Sequence, residues 1–101
     1  MKLSEAMAAY QGSLCCKSWF NMYGTTVTAV CPLVGAGIMV GLFQANDLPT
    51  FRKGVIKAMV ANQWDLTCDE VSNIAFEWDE LDDVTANAKA TLIKSLTARG
   101  L

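Results

Sequence analysis

Leu66-Thr67-Cys68-Asp69-Glu70-Val71-Ser72-Asn73-Ile74-Ala75-Phe76-Glu77-Trp78-Asp79-Glu80-Leu81 is the stretch on which the fold turns. Thr67 and Glu70 have the S/T-x-x-E spacing of a capping box, in which each side chain serves a backbone N–H that the first helical turn leaves orphaned. Leu66 and Val71 stand at the two positions of a hydrophobic staple around that box. Behind the cap, Val71, Ile74, Ala75, Trp78 and Leu81 recur at i, i+3, i+4, i+7 and i+10, one apolar stripe of a helix. Glu70, Glu77, Asp79 and Glu80 take other positions, so the spacing predicts an amphipathic helix with an acidic outer face.

Working outward, residues Val84 to Ala98 read as a last helix with Ala88, Leu92, Ile93 and Leu96 inward. Lys94 and Arg99 suit its negative C-terminal end, and Gly100 closes it. Upstream, a third helix is expected to start near Pro49 or Thr50, with Phe51, Val55, Ile56 and Met59 facing inward. Before that, Pro32 fits the first position of a helix whose body, Leu33 to Phe43, is apolar on every side. Gly35, Gly37 and Gly41 lie among its large residues, and Asn46 and Asp47 end it. Ser13–Phe20 and Thr25–Cys31 are rich in β-branched, aromatic or thiol side chains and are separated by Asn21-Met22-Tyr23-Gly24, the pattern of a β-hairpin. At the N-terminus Leu3, Ala6, Met7 and Tyr10 share one helical face, with Gly12 placed to stop the helix.

The expected architecture is α+β and mostly helical, one domain over residues 1–101. An N-terminal helix and one hairpin precede about four helices, and the glycine-rich helix is buried among them. A two-stranded hairpin is marginal alone, so it packs on helices or pairs with a strand of a second copy, making a homodimer. With 52% hydrophobic and 18% charged residues, the 101-residue chain is composed to fold around a single core. Three Trp, four Phe and five Met leave apolar surface to spare for a partner.

Charge is unevenly distributed. Asp65, Asp69, Glu70, Glu77, Asp79, Glu80, Asp82 and Asp83 are unbroken by any base, while Arg52, Lys53 and Lys57 precede them and Lys89, Lys94 and Arg99 follow. Such a block repels phosphate at long range and disfavours nucleic acid. The helix-turn-helix reading of the last two helices, with Lys89, Lys94 and Arg99 on the second, carries Asp82 and Asp83 in its turn. Val27 to Ala45 is charge-free and contains the G-x-x-x-G spacing at Gly37 and Gly41. Pro32 and the threonines before it leave only about eleven uninterrupted apolar residues, shorter than a bilayer span.

No histidine is present, which removes the commonest general base and zinc ligand. Cys15, Cys16, Cys31 and Cys68 form no C-x-x-C, and adjacent Cys15 and Cys16 would point to opposite faces of a strand. No export signal is read before them, so they are expected to be reduced structural thiols in a cytoplasmic protein. Val34-Gly35-Ala36-Gly37 lacks the Lys-Ser/Thr of a phosphate loop. No catalytic residue, metal or cofactor is assigned.

The segment Thr28-Ala29-Val30-Cys31-Pro32-Leu33-Val34-Gly35-Ala36-Gly37 resembles the Cys-x-x-Gly-Ala opening, one residue looser, of small uncharacterised bacterial and prophage proteins. Trp64 to Val71 and Glu77 to Glu80 are similar in style to their C-terminal half, so the resemblance covers about a third of the chain. It implies no known activity and favours a phage or mobile-element accessory protein. The expected function is therefore non-enzymatic protein interaction through an acidic helical surface. Glu77, Asp79, Glu80, Asp82 and Asp83 are the candidate residues for meeting a protein with a basic surface. A membrane-associated protein using residues 27–45 and a helix-turn-helix DNA-binding regulator are the alternatives.

Overall fold

The computed structural model describes residues 1–52 and 54–101; Lys53, one of the flanking bases, lies outside the described residues. The elements in order are α1 (Leu3–Ala9), β1 (Phe20–Tyr23), β2 (Thr26–Val30), α2 (Pro32–Met39), a 3-10 helix (Ala45–Thr50), α3 (Val55–Gln63), α4 (Cys68–Glu80) and α5 (Ala86–Ala98). This is the mostly helical α+β architecture expected. One core runs through it, formed by Leu3, Met7, Leu33, Val34, Leu48, Val60, Val71, Ile74, Trp78, Leu92 and Leu96 among others. Helix α1 lies against both α2 and α5, and α3 packs on α4, so the first and last helices pack against each other.

The capping box at the start of α4 is formed as the sequence predicts. Glu70 N–H donates to Thr67 Oγ1 at 3.1 Å, and Thr67 N–H donates to Glu70 Oε1 at 3.0 Å. Thr67→Ala is expected to cost about 0.5–2 kcal/mol, since the Glu70 N–H of the first turn loses its acceptor. Thr67→Asp should be nearly neutral, because a carboxylate also caps and suits the positive helix end. Urea midpoints of the two variants check this pair. Val71, Ile74 and Trp78 are buried and Ala75 is half-buried, but Leu81 is not inward: it is 37% exposed.

Helix α2 is buried from Pro32 to Gly37 and opens on Pro32, as read. It ends at Met39 rather than near Asn46, and the cause is Gly41 at φ +78°. Leu42 N–H donates to Gly37 O at 3.0 Å and Gly41 N–H to Ile38 O at 3.1 Å, the paired bonds of a Schellman motif. The two glycines of the G-x-x-x-G therefore differ in role. A Cβ at Gly37 would lie 2.6 Å from the Phe43 ring, so Gly37 serves packing, whereas at Gly41 it would meet nothing and only the left-handed backbone needs glycine. Asn46 and Asp47 fall in the 3-10 helix, where Asp47 accepts from Gln44 N–H at 3.0 Å. Residues 27–45 are thus divided between β2, an eight-residue helix and a turn, and no helix among the described residues is long and apolar enough to cross a membrane.

The third helix starts later than expected, at Val55, after Gly54 at φ +89°. Its buried residues are Ile56, Val60 and Ala61, while Val55, Met59 and Phe51 are half-buried. Helix α1 stops at Ala9 without Gly12, which has no left-handed backbone and instead leaves room for the Tyr10 ring. Helix α5 begins at Ala86, two residues inside the expected start, because Thr85 is its cap and accepts from Ala88 N–H. Gly100 at φ +77° closes it as read, with a second Schellman pair from Leu101 N–H to Leu96 O and Gly100 N–H to Thr97 O.

The hairpin exists but its first strand lies further along than the sequence suggests. β1 is Phe20–Tyr23, so Asn21, Met22 and Tyr23 are strand, and the turn is Gly24-Thr25 with Gly24 at φ +63°. Residues 13–18 do not extend β1: Leu14 makes a single parallel bridge to Val30 of β2, and beyond it α4 holds the backbone at Cys15 O and Lys17 N–H. Trp78 Nε1–H donates to Cys15 O at 2.8 Å, and Lys17 N–H donates to Asp79 Oδ1 at 2.7 Å with Lys17 held at φ +65°. Cys15 and Cys31 are buried in the resulting core, Cys16 is half-buried and Cys68 is exposed.

Candidate interaction surface

Four of the five acids assigned to a partner surface are engaged within the fold. Asp79 holds the Lys17 backbone, and Asp82 Oδ1 meets Lys17 Nζ at 2.9 Å. The hydrogen bond from Lys17 to Asp82 raises the lysine pKa, the sense expected of a cation beside a carboxylate. Glu77 accepts from Arg99 Nη2 at 2.6 Å and from Ser95 Oγ at 3.2 Å, tying α4 to α5. Asp83 accepts from both Thr85 N–H and Thr85 Oγ1, at 3.1 and 2.9 Å, and so fixes the turn before α5. Glu80 is exposed and makes no hydrogen bond or ion pair among the described residues.

What the charge pattern did not reveal is an apolar channel beside Glu80. Phe76, Glu77, Glu80 and Leu81 of α4 and its C-cap form one wall, and Thr91, Leu92 and Ser95 of α5 form the other, around a volume of about 570 Å³. That is within the range of ligand clefts. Phe76 is 63% exposed, a large aromatic ring at the lip of this channel. Its sequence signal was available: Phe76 lies off the stripe Val71, Ile74, Ala75, Trp78, so the core had no use for it.

The bases proposed for DNA contact are also partly committed. Lys89 Nζ donates to Tyr10 O at the end of α1, where burial lowers its pKa and the ammonium meets the negative end of that helix. Arg99 is paired with Glu77. A second hollow, about 280 Å³, is lined by Lys17, Ser18, Trp19, Cys31, Ala75 and Asp79. Burial pushes the Cys31 thiol up to about 12, so that sulfur is neutral at ordinary pH, and Asp79 is already bound to Lys17.

No family model, curated protein or solved structure matches this chain.

Proposed function

We propose that this chain is a non-enzymatic protein-interaction domain whose partner lays an amphipathic helix into the channel between α4 and α5. The observation that carries this reading is Phe76, a large apolar side chain left 63% exposed at the lip of a channel with leucines on both walls. Helix-in-groove recognition uses such a surface, with apolar anchors seated between two helices. The charge of the partner follows from Glu80, an uncommitted acid on the same wall, set in a run of acids without a base. A basic residue flanking the partner's apolar face would meet it. The accessory-protein character implied by the resemblance around Cys31–Gly37 accords with this role.

The test is a titration of the ¹⁵N-labelled protein with a synthetic amphipathic Leu/Lys peptide, and separately with its Leu/Glu counterpart. The Leu/Lys peptide should move the amide signals of Phe76, Glu80, Leu81, Thr91 and Ser95, and the Leu/Glu peptide should not. Phe76→Ala should weaken binding about 10- to 30-fold, the loss typical of an aromatic anchor, while leaving the melting temperature unchanged. Glu80→Gln should flatten the salt dependence of association. Equal binding of both peptides, or unaltered binding to Phe76→Ala, would remove this reading.

A further inference from the structure

The two edges of the hairpin are covered unequally. On the β2 side, Val30 N–H donates to Ser13 O and Val30 O accepts from Cys15 N–H, both at 3.0 Å, so the Ser13–Cys15 segment covers the Val30 end of that edge. On the β1 side, no described segment pairs with Phe20–Tyr23 beyond β2. Cys31 N–H donates to Trp19 O at 2.8 Å, and Thr28 Oγ1 reaches Asn21 O, so Trp19 and Asn21 face β2. Antiparallel alternation then turns the N–H and C=O of Phe20 and Met22 outward. Natural proteins guard exposed edges with charges, prolines, bulges or very short strands. Trp19-Phe20-Asn21-Met22-Tyr23 has no charge and no proline, and no charge occurs from Ser18 to Asn46. The register shift between Asn21 and Met22 puts its extra residue, Thr28, on β2, so β1 is short but unbulged. Towards its tip the hairpin is uncovered as well: Met22 is 41% exposed and Tyr23 84%.

We propose that β1 pairs with β1 of a second copy, antiparallel about a two-fold axis, to make a four-stranded sheet ordered β2-β1-β1-β2. A second copy fits because the edge is its own complement. With Asn21 on the axis, Phe20 of one protomer stands opposite Met22 of its partner, and the outward groups of both are satisfied by about four backbone hydrogen bonds. The uncharged strand meets itself without repulsion and carries no charge with which to select a different chain. Four-residue strands place the contact at the small end of specific interfaces, so the dimer is expected to exchange with monomer in the micromolar range. It is independent of the channel between α4 and α5.

Sedimentation velocity across a concentration series should show the mass doubling over that range. Met22→Lys puts a charge on the edge at an exposed position. It should weaken the dimer at least about 10-fold while the melting temperature of the dilute monomer is retained. Phe76→Lys, on α4, should leave the dimer intact. In hydrogen exchange followed by NMR, the Phe20 and Met22 amides should become protected as concentration rises. A protein that stays monomeric to millimolar concentration overturns the proposal. So does a dimer that survives Met22→Lys with those two amides still exchanging freely.

Discussion

Trp78→Ala is expected to leave the protein largely unfolded at room temperature. Trp78 has no exposed surface, and large-to-small changes at such sites cost about 3–5 kcal/mol through lost contacts and the cavity left behind. The indole also donates from Nε1 to Cys15 O at 2.8 Å in a buried setting. Removing the donor orphans that carbonyl, for about 1–3 kcal/mol more. Set against the lower half of the about 5–15 kcal/mol range of an ordinary domain, where a 101-residue single core belongs, the sum takes away most or all of the margin. Trp78→Phe separates the two contributions. It retains much of the ring volume but not the N–H, so its loss should fall well short of that of Trp78→Ala. Urea unfolding followed by circular dichroism ranks the three proteins. Equal midpoints for Trp78→Phe and wild type would mean that the Cys15 bond contributes nothing.

Gly35→Ala should destabilise, against the usual rule for a glycine inside a helix. Helix propensity alone would favour alanine by about 0.5–1 kcal/mol. Yet a Cβ at Gly35 would lie 2.7 Å from both Cγ and Cδ2 of Tyr10 and 3.3 Å from its Cβ. These atoms sit near the root of the tyrosine, on the C-cap of α1, so relief requires α1 and α2 to separate. Overpacking of this kind costs about 1–3 kcal/mol and outweighs the propensity gain. Gly41→Ala is the contrast: it meets no atom, and its expected loss of about 1–2 kcal/mol comes from the left-handed backbone alone. Combining Gly35→Ala with Tyr10→Ala should remove the added cost of the first change, a coupling that a double-mutant cycle measures.

Helix α4 was legible because everything that makes it is local: the cap lies within three residues and the stripe within one element. The buried character of α2 was equally plain, since no face of it is polar. The errors came where remote groups decide. Ser13 to Ser18 has the composition of a strand, but it pairs with β2 only at Val30, and its bonds from Cys15 O and Lys17 N–H go to Trp78 and Asp79, more than sixty positions away in sequence. The spacing of Gly41 from Gly37 suits close packing; only the backbone angle distinguishes a helix stop from a close approach. In the candidate surface, the acids were visible but their partners were not: Lys17 and Arg99 lie on other elements. Phe76 and Glu80 remain once those pairs are subtracted, and that subtraction needs three dimensions.

The long reach of the Trp78–Cys15 and Lys89–Tyr10 bonds, spanning 63 and 79 positions, also shapes how the chain is made. During synthesis residues 1–31 leave the ribosome before α4 and α5, the helices that hold Cys15 and Tyr10, have been translated, at about 5–20 residues per second. The uncharged run from Ser18 to Asn46 must wait for seconds with its apolar residues bare. Lys17 and Asp47 bracket that run, in the position of gatekeepers that discourage growing chains from adhering to one another. Closure over so many residues is slow for a helical domain, because the loop entropy is lost before the contacts form. Residues 1–31 should therefore fold only after α5 has been translated, docking onto a half already assembled around α3 and α4.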